Sequence, residues 1–254
     1  MTTNQKIDEQ FTVQRYNSAG GTENYTSAVE GIWLWQSETI IFEKYFQKND
    51  NIIDVGCWAG RTTFNLYTLG YKNLTGLDLS ENLIAFAQNY AKQYEYNIPF
   101  LLGNALQLPF ETGTFDNAIF SFNGLMTIPS KEKRLQAMQE IRRVMKKDGI
   151  FIFTTHDRED ISGEKYFEYW KQEKELWENN KQDPRLFELG DRLTLEFWTE
   201  FFIHIANQSE VKNLIQQANF TLIETIMRRD ISEENEKVKN FSAECRFWIV
   251  KKTN

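Results

Sequence analysis

The run Asn51-Ile-Ile-Asp-Val-Gly-Cys-Trp-Ala-Gly-Arg-Thr-Thr63 leaves this chain few choices. Ile52, Ile53 and Val55 are β-branched and read as a buried strand. Gly56 and Gly60 bracket a tight turn, and Phe64, Leu66 and Leu69 carry a helical spacing after it. A strand that breaks at glycine and reopens as a helix gathers N–H groups at one point. With no Cβ at 56 or 60, a ligand can rest on the backbone itself. The spacing narrows the ligand, because a dinucleotide turn needs glycine at offsets 0, +2 and +5, and here those offsets hold Gly56, Trp58 and Arg61. An indole where a pyrophosphate should approach disfavours a nicotinamide oxidoreductase.

The following segments repeat the alternation of strand and helix. Asn73-Leu-Thr-Gly-Leu-Asp78 reads as a second strand ending in an acid, with Ser80 as N-cap of a helix from Glu81 to Tyr94. Asp78 lies 18 residues beyond Gly60, where a carboxylate at a strand end can accept hydrogen bonds from both hydroxyls of a ribose. That pairing points to an adenosine-type ligand. Pro99–Leu102 is the third strand, and Gly113–Ser121 carries the fourth. Lys131–Lys147 is a helix with Leu135, Met138, Ile141 and Val144 on one stripe, stopped by Asp148-Gly149 before a fifth strand at 150–154.

Three of these stretches share a resemblance. Asp54-x-Gly56-x-Trp58-x-Gly60 resembles motif I of the class I S-adenosylmethionine-dependent methyltransferases, usually Asp/Glu-x-Gly-x-Gly-x-Gly, with Trp58 in place of the middle glycine. Gly103-Asn104-Ala105-Leu-Gln-Leu-Pro-Phe110, followed by Phe115-Asp116, is similar to the family's Gly-Asp-Ala-x-x-Leu-Pro-Phe segment, with Asn104 in the Asp position. Arg142 to Gly149 resembles its Arg-x-Leu-Lys-Pro-Gly-Gly joint, which is structural. The resemblance covers about residues 50–156 specifically and 202–252 loosely.

It implies a Rossmann-like, doubly wound α/β fold with seven strands in the order 3-2-1-4-5-7-6, the last antiparallel. It implies S-adenosyl-L-methionine as cofactor and S-adenosyl-L-homocysteine as product. The cofactor-binding residues would be Gly56, Cys57, Trp58 and Gly60 at the turn, Asp78 on the ribose, Leu79 as an apolar face for the base, and Asn104, whose amide oxygen accepts from the adenine amine. Ala105 leaves room for the ring, and Ser121 sits at the edge of the crevice. In that family the segment before motif I often closes the site, a role open here to Tyr25, Tyr16 or Trp33. The same rings can equally serve only to pack the arm onto the body.

Outside the resemblance, residues 1–49 read as an N-terminal arm: a frayed lead-in to residue 15, a mobile stretch of turn formers from Tyr16 to Tyr25, then a helix carrying Ile32, Trp33, Trp35, Ile40, Ile41 and Phe46. Residues 50–254 make the main domain, with 157–201 as a lid-like insertion rich in rings (Tyr166, Phe167, Tyr169, Trp170, Trp177, Phe187, Phe197, Trp198) or else an extra helix packing into the core. The chain then resumes with Phe202 to Ile205, a helix from Ser209 to Ala218, a strand from Phe220 to Met227, a polar turn at 232–240 and a last strand from Cys245 to Val250.

Methyl transfer from a sulfonium is an in-line displacement in which the cofactor brings the electrophile, so few catalytic groups are required. That agrees with a chain carrying no Ser-His-Asp, paired-carboxylate or zinc pattern. The two histidines are the candidate bases: His156 at the carboxyl end of strand five beside Asp157, and His204 in the apolar run from Phe201. His156, Asp157, Glu159 and Asp160 read as a solvated loop rather than a metal site. A net charge of −7 argues against nucleic acid as partner. No apolar run reaches membrane-spanning length, and two cysteines are too few for a disulfide framework, so a cytoplasmic protein is expected. Abundant rings favour a small apolar or cationic acceptor. Oligomeric state is left open, and the alternative to catalysis is a cofactor-binding protein whose aromatic insertion holds a partner.

Overall fold

The structure is a computed structural model, and it describes residues 5–160, 164–196 and 199–253. Seven strands form one sheet: β1 (Asn51–Val55), β2 (Asn73–Asp78), β3 (Phe100–Leu102), β4 (Asn117–Phe120), β5 (Ile150–Thr155), β8 (Thr221–Met227) and β9 (Arg246–Lys251). Their order is β3-β2-β1-β4-β5-β9-β8, with β9 antiparallel to both its neighbours and the other pairings parallel. This is the doubly wound α/β arrangement with one reversed strand that the resemblance implied. β1 is central and buried on both faces, which is why its sequence runs apolar without alternation. α4 (Arg61–Thr68), α5 (Glu81–Gln93), α6 (Lys131–Val144) and α8 (Gln208–Gln217) cover the two faces. The carboxyl ends of β1, β2, β3, β4 and β5 therefore open along one edge, where such sheets bind ligands.

The amino-terminal segment is more ordered than its composition suggests. It folds as α1 (Glu9–Tyr16) and α2 (Ala19–Gly31) instead of a frayed lead-in and a mobile turn. Asp8 caps α1 by accepting from Phe11 N, and Ser18 caps α2 by accepting from Gly21 N. The corner between them needs glycine, since a Cβ on Gly21 would lie 2.4 Å from the Arg15 carbonyl oxygen. The next helix begins later than expected, at α3 (Gln36–Tyr45), leaving Ile32 and Trp33 outside it. Its start is set by carboxylates: Glu38 accepts from Trp35 N, while Glu234 accepts from the Gln36 and Ser37 N–H groups. Trp35 is fully buried between the Arg61 and Arg228 guanidiniums.

The 157–201 stretch holds α7 (Glu164–Glu178) and, unforeseen in the sequence, a hairpin of β6 (Asp191–Glu196) with β7 (Thr199–His204). Leu186 and Phe202 bury with Ile7, with Trp177 and Phe187 packed alongside, so part of this insertion is core. Phe197 and Trp198 lie outside the described residues, as do the side chains of Tyr166, Phe167 and Tyr169. The expected polar turn at 232–240 instead contains part of α10 (Glu236–Phe241), capped by Asn235 and preceded by the single turn α9 (Arg228–Ile231). Among the described residues no helix is long and apolar enough to cross a membrane.

Candidate active site

The turn after β1 is shaped by three left-handed residues: Gly56 at φ +65°, Trp58 at +51° and Gly60 at +89°. A Cβ on Gly56 would lie 2.3 Å from the Phe120 ring, so the bend and the sheet beneath it admit only glycine there. The bend is fastened to β2. Cys57 N donates to the Leu77 carbonyl (3.1 Å), and Trp58 N donates to one oxygen of the Asp78 carboxylate (2.9 Å). The other Asp78 oxygen accepts from Ser80 N at 2.8 Å. Asp78 is only 4% exposed, and burial pushes its pKa up to about 6 despite the N–H groups of Ser80, Trp58 and Leu79, which favour the charge. Behind the turn, burial raises Asp54 to about 7, opposed by the Thr63 hydroxyl that donates to it at 2.7 Å.

The third corner follows β3. Gly103 N donates to the Asp78 carbonyl (2.9 Å), and Asn104 Oδ1 accepts from Leu106 N (2.9 Å), closing a small side-chain turn. Asn104 therefore spends one of its oxygen's lone pairs on its own loop. Gly56, Trp58, Asp78, Leu79, Asn104 and Ala105 come together around one cleft. Three other expected residues stand behind it. Cys57 is buried with its sulfur against the Gly76 backbone, Gly60 packs on Phe64 and Phe100, and Ser121 Oγ lies 3.1 Å from the Thr62 hydroxyl.

Trp58 and Thr127 also border a second hollow of about 200 Å³, together with Tyr25, Phe122, Asn123, His156 and Phe201. The indole packs on Tyr25 (4.2 Å between centroids) and Phe122 (4.7 Å), both residues of the second hollow, and Trp58 lines both spaces. His156 Nδ1 lies 2.8 Å from the Glu244 carbonyl oxygen and Nε2 lies 3.1 Å from the Asn123 amide nitrogen, and burial lowers its pKa. Asp157 does not hold it, being paired with Arg246 (3.1 Å). His204 is elsewhere. It bonds Asp191 at 2.8 Å and faces a separate hollow with Arg134 and Glu210. Glu188, Asp191 and His204 do cluster, but Asp191 is occupied by His204 and by Phe187 N and Glu188 N, and Glu188 by Arg134. The group locks the base of the hairpin.

A family model described as a methyltransferase domain matches residues 46–219. The chain belongs to the class I S-adenosylmethionine-dependent methyltransferase family. It is 36% identical over 139 residues to an uncharacterised protein of Methanocaldococcus jannaschii, covering 55% of this chain and 50% of that one. It is 30% identical to the demethylmenaquinone methyltransferase of Listeria welshimeri (54% and 55% covered) and 31% identical to that of Lactococcus lactis (65% and 67%). The chain spans about half the length of the first two relatives. Among solved structures, an S-adenosylmethionine-dependent methyltransferase of Methanosarcina mazei superposes with a TM-score of 0.69 at 22% identity, over 84% of this chain and 97% of that one. A 1,6-didemethyltoxoflavin-N1-methyltransferase of Burkholderia thailandensis gives 0.62 at 14%, over 96% and 87%. These two likenesses concern the fold.

In this member of the family the cleft has a wall the sequence reading missed. Glu9, Thr12 and Tyr16 line it from α1, and Thr127 and Ile128 from the turn after β4. The spacing of Glu9, Thr12 and Tyr16, three then four residues apart, is one helical face and was the available signal. Tyr16 is buried, packs against Tyr25 and Trp58, and its hydroxyl has no hydrogen-bond partner. Trp33, by contrast, is 53% exposed and serves through its carbonyl, which accepts from Arg61.

Proposed function

We propose that the chain transfers a methyl group from S-adenosyl-L-methionine to a small-molecule acceptor, with the cofactor in the cleft bounded by Gly56, Asp78 and Asn104. One observation carries this reading: the Trp58 N–H bond to Asp78 makes the motif I bend and the acid at the end of β2 a single rigid unit, with the 104–105 corner across the same space. The donor set suits the cofactor. Asp78 offers acceptor oxygens to ribose hydroxyls, Leu79 and Ala105 offer apolar surface to the base, and Asn104 retains an amide group for the adenine edge. The buried, unpartnered Tyr16 hydroxyl adds a polar group on the α1 side.

When bound, the cofactor supplies a methyl carbon made electrophilic by its sulfonium. The chain's own residues bind, orient and keep water out: Tyr16, Tyr25 and Trp58 cover the bend, and the hollow beyond Trp58 and Thr127 receives the acceptor. His156 borders that hollow with Nδ1 on the Glu244 carbonyl and Nε2 on the Asn123 amide, so it orients groups of the wall, whereas His204 serves the hairpin. The demethylmenaquinone methyltransferase relatives support a small molecule as acceptor, and a net charge of −7 weighs against nucleic acid. A cytoplasmic setting belongs to the same proposal; both cysteines are free thiols.

Calorimetric titration tests the reading. S-adenosylhomocysteine is expected to bind and NAD not to bind; the reverse result would overturn it. A second reading has one observation behind it, since Trp58 lines both hollows as it would in a cofactor-binding protein without catalysis. Methyl release from labelled cofactor to a panel of small acceptors separates the two.

A further inference from the structure

The hollow beyond Trp58 says something about what enters it. Among the described residues that line it there is no Asp, Glu, Lys or Arg, and five rings, Tyr25, Trp58, Phe122, Phe201 and Phe241, share the wall with uncharged polar groups of Asn24, Asn123, Thr127 and Ser242. Such a wall opposes a formal charge and favours flat apolar surface, which ring faces and edges contact well. The polar groups of the wall include a strained turn after β4. There Phe122 and Asn123 take left-handed backbone angles in succession, φ 52° and 60°, a costly arrangement for two residues with side chains and one that marks constrained functional turns.

Hydrogen bonding determines how the Asn123 amide is turned. A carbonyl oxygen can only accept, so the 2.8 Å contact between His156 Nδ1 and the Glu244 carbonyl puts the ring's proton on Nδ1. Burial works against a second proton, so Nε2 carries a lone pair. A lone pair needs a donor, and the Asn123 NH₂ group supplies it at 3.1 Å. The amide oxygen is thereby turned away from the imidazole. Asn123 is 3% exposed, and its Oδ1 has no hydrogen-bond partner. A buried amide oxygen left unpaired is costly, and the arrangement becomes favourable once a donor arrives.

We propose that the acceptor is an uncharged planar molecule bearing an N–H or O–H group, that it lies among these rings, and that this group donates to Asn123 Oδ1. Asn123 touches the acceptor; His156 acts through Asn123 as a positioning residue that keeps the amide in the accepting orientation. The inference rests on the methyltransferase reading given above for the identity of the neighbouring cleft, and adds the chemical class of the acceptor.

The test uses 1-naphthol and 1-methoxynaphthalene, which differ in the hydroxyl donor, with 1-naphthoate as the charged control. Each is titrated calorimetrically into the full chain, with and without saturating S-adenosylhomocysteine. Naphthol is expected to bind about tenfold more tightly than its methyl ether, a typical ratio for one well-placed buried hydrogen bond, and naphthoate more weakly than either. In Asn123→Ala the ratio should fall to about one through loss of naphthol affinity alone, and in His156→Phe it should shrink because the amide is free to turn. Damage to the fold would weaken both compounds alike and leave the ratio unchanged. Equal binding of the pair to the native chain, binding of neither, preference for naphthoate, or an unchanged ratio in a folded Asn123→Ala protein would each overturn the proposal. The native-chain comparison stands even where the variant fails to fold. Failure of S-adenosylhomocysteine to bind would sink the methyltransferase reading, while the naphthol pair would still be readable on the protein alone.

Discussion

The two hollows that meet at Trp58 are built in different ways. The cleft is framed by strand-end main chain, the Gly56–Trp58 bend, an Asp78 carboxylate held by two backbone N–H groups, and a corner tied by Gly103 N to the Asp78 carbonyl, with α1 closing one wall. The chamber is made of side chains brought from stretches far apart in sequence: Tyr25 in α2, Phe122 and Asn123 after β4, His156 after β5, Phe201 in β7 and Phe241 in α10. A site made of strand ends comes with the topology, because parallel strands must end somewhere and their turns expose N–H groups. A site made of distant side chains has no such guarantee. Its chemistry is free to change while the fold stays, which is how one scaffold serves many acceptors.

The sharpest way to break this contrast is at Asp78. Asp78→Ala removes the proposed ribose acceptor and leaves Trp58 N and Ser80 N without their partner. It should cost roughly 1.5–3 kcal/mol of S-adenosylhomocysteine affinity, about ten- to 150-fold, with the naphthol ratio of the chamber unmoved. If affinity is unchanged in a folded variant, the cleft is not read by its backbone-held acid and the contrast fails.

Trp58→Gly probes the shared wall from the other side. Glycine adopts φ +51° without strain, which returns ~1 kcal/mol, but the variant loses the ring contacts with Tyr25, Phe122 and Tyr16. A net destabilisation of ~1–2 kcal/mol is expected by thermal melting, together with faster proteolysis in α1 and α2. Cofactor affinity should stay within about threefold, since the N–H that binds Asp78 remains. A loss as large as that of Asp78→Ala would mean the indole itself holds the cofactor.

The same contrast explains what could be read without a structure. Gly56, Asp78 and Asn104 are legible because each sits at a fixed offset from a strand end, and the strands announce themselves through runs such as Ile52–Val55 and Ile150–Thr154. The β6–β7 pair was not, because the sequence between Asp191 and His204 has no glycine or proline to punctuate a turn. The arm was misread because Gly20 and Gly21 look like a flexible link, whereas they sit in the first turn of α2, where the Ser18 cap and the close approach of Arg15 leave no room for a Cβ at Gly21. The end of strand four at 121–124 was legible as the edge of the crevice, but the orientation of the Asn123 amide and the divergence of His156 and His204 had no signal along the chain. Each depends on which face of its strand end turns toward the other elements.

Protonation offers a finer test of the backbone-held acid. With its pKa raised to about 6, Asp78 is ionised above that pH and protonated below it. Cofactor hydroxyls need the ionised form, so binding should draw the pKa down and release a proton in the window below 6. Affinity for S-adenosylhomocysteine should be flat from pH 7 to 8 and fall several-fold by pH 5, with proton release measured by calorimetry in buffers of different ionisation enthalpy. Asp78→Asn should bind weakly and lose this slope. Retention of the slope in Asp78→Asn would assign it to another group.

The smallest expected effect lies at the base end of the cleft. Asn104 occupies the Asp position of the resembled segment, and its one side-chain oxygen is already bonded to Leu106 N at 2.9 Å. Asn104→Asp keeps that bond on one carboxylate oxygen and frees the second to accept from the adenine amine, where the native residue must use the remaining lone pair of a single oxygen or present its NH₂. The added charge strengthens both bonds but brings a second carboxylate toward the cleft that holds Asp78, and the repulsion takes back part of the gain. A two- to fivefold tightening, ~0.4–1 kcal/mol, is therefore expected for S-adenosylhomocysteine at pH 8, with no change for the naphthol pair in the chamber. If tightening is absent or affinity falls, the 104 corner is a structural turn that happens to border the cleft, and the base is held by the apolar surface of Leu79 and Ala105 alone.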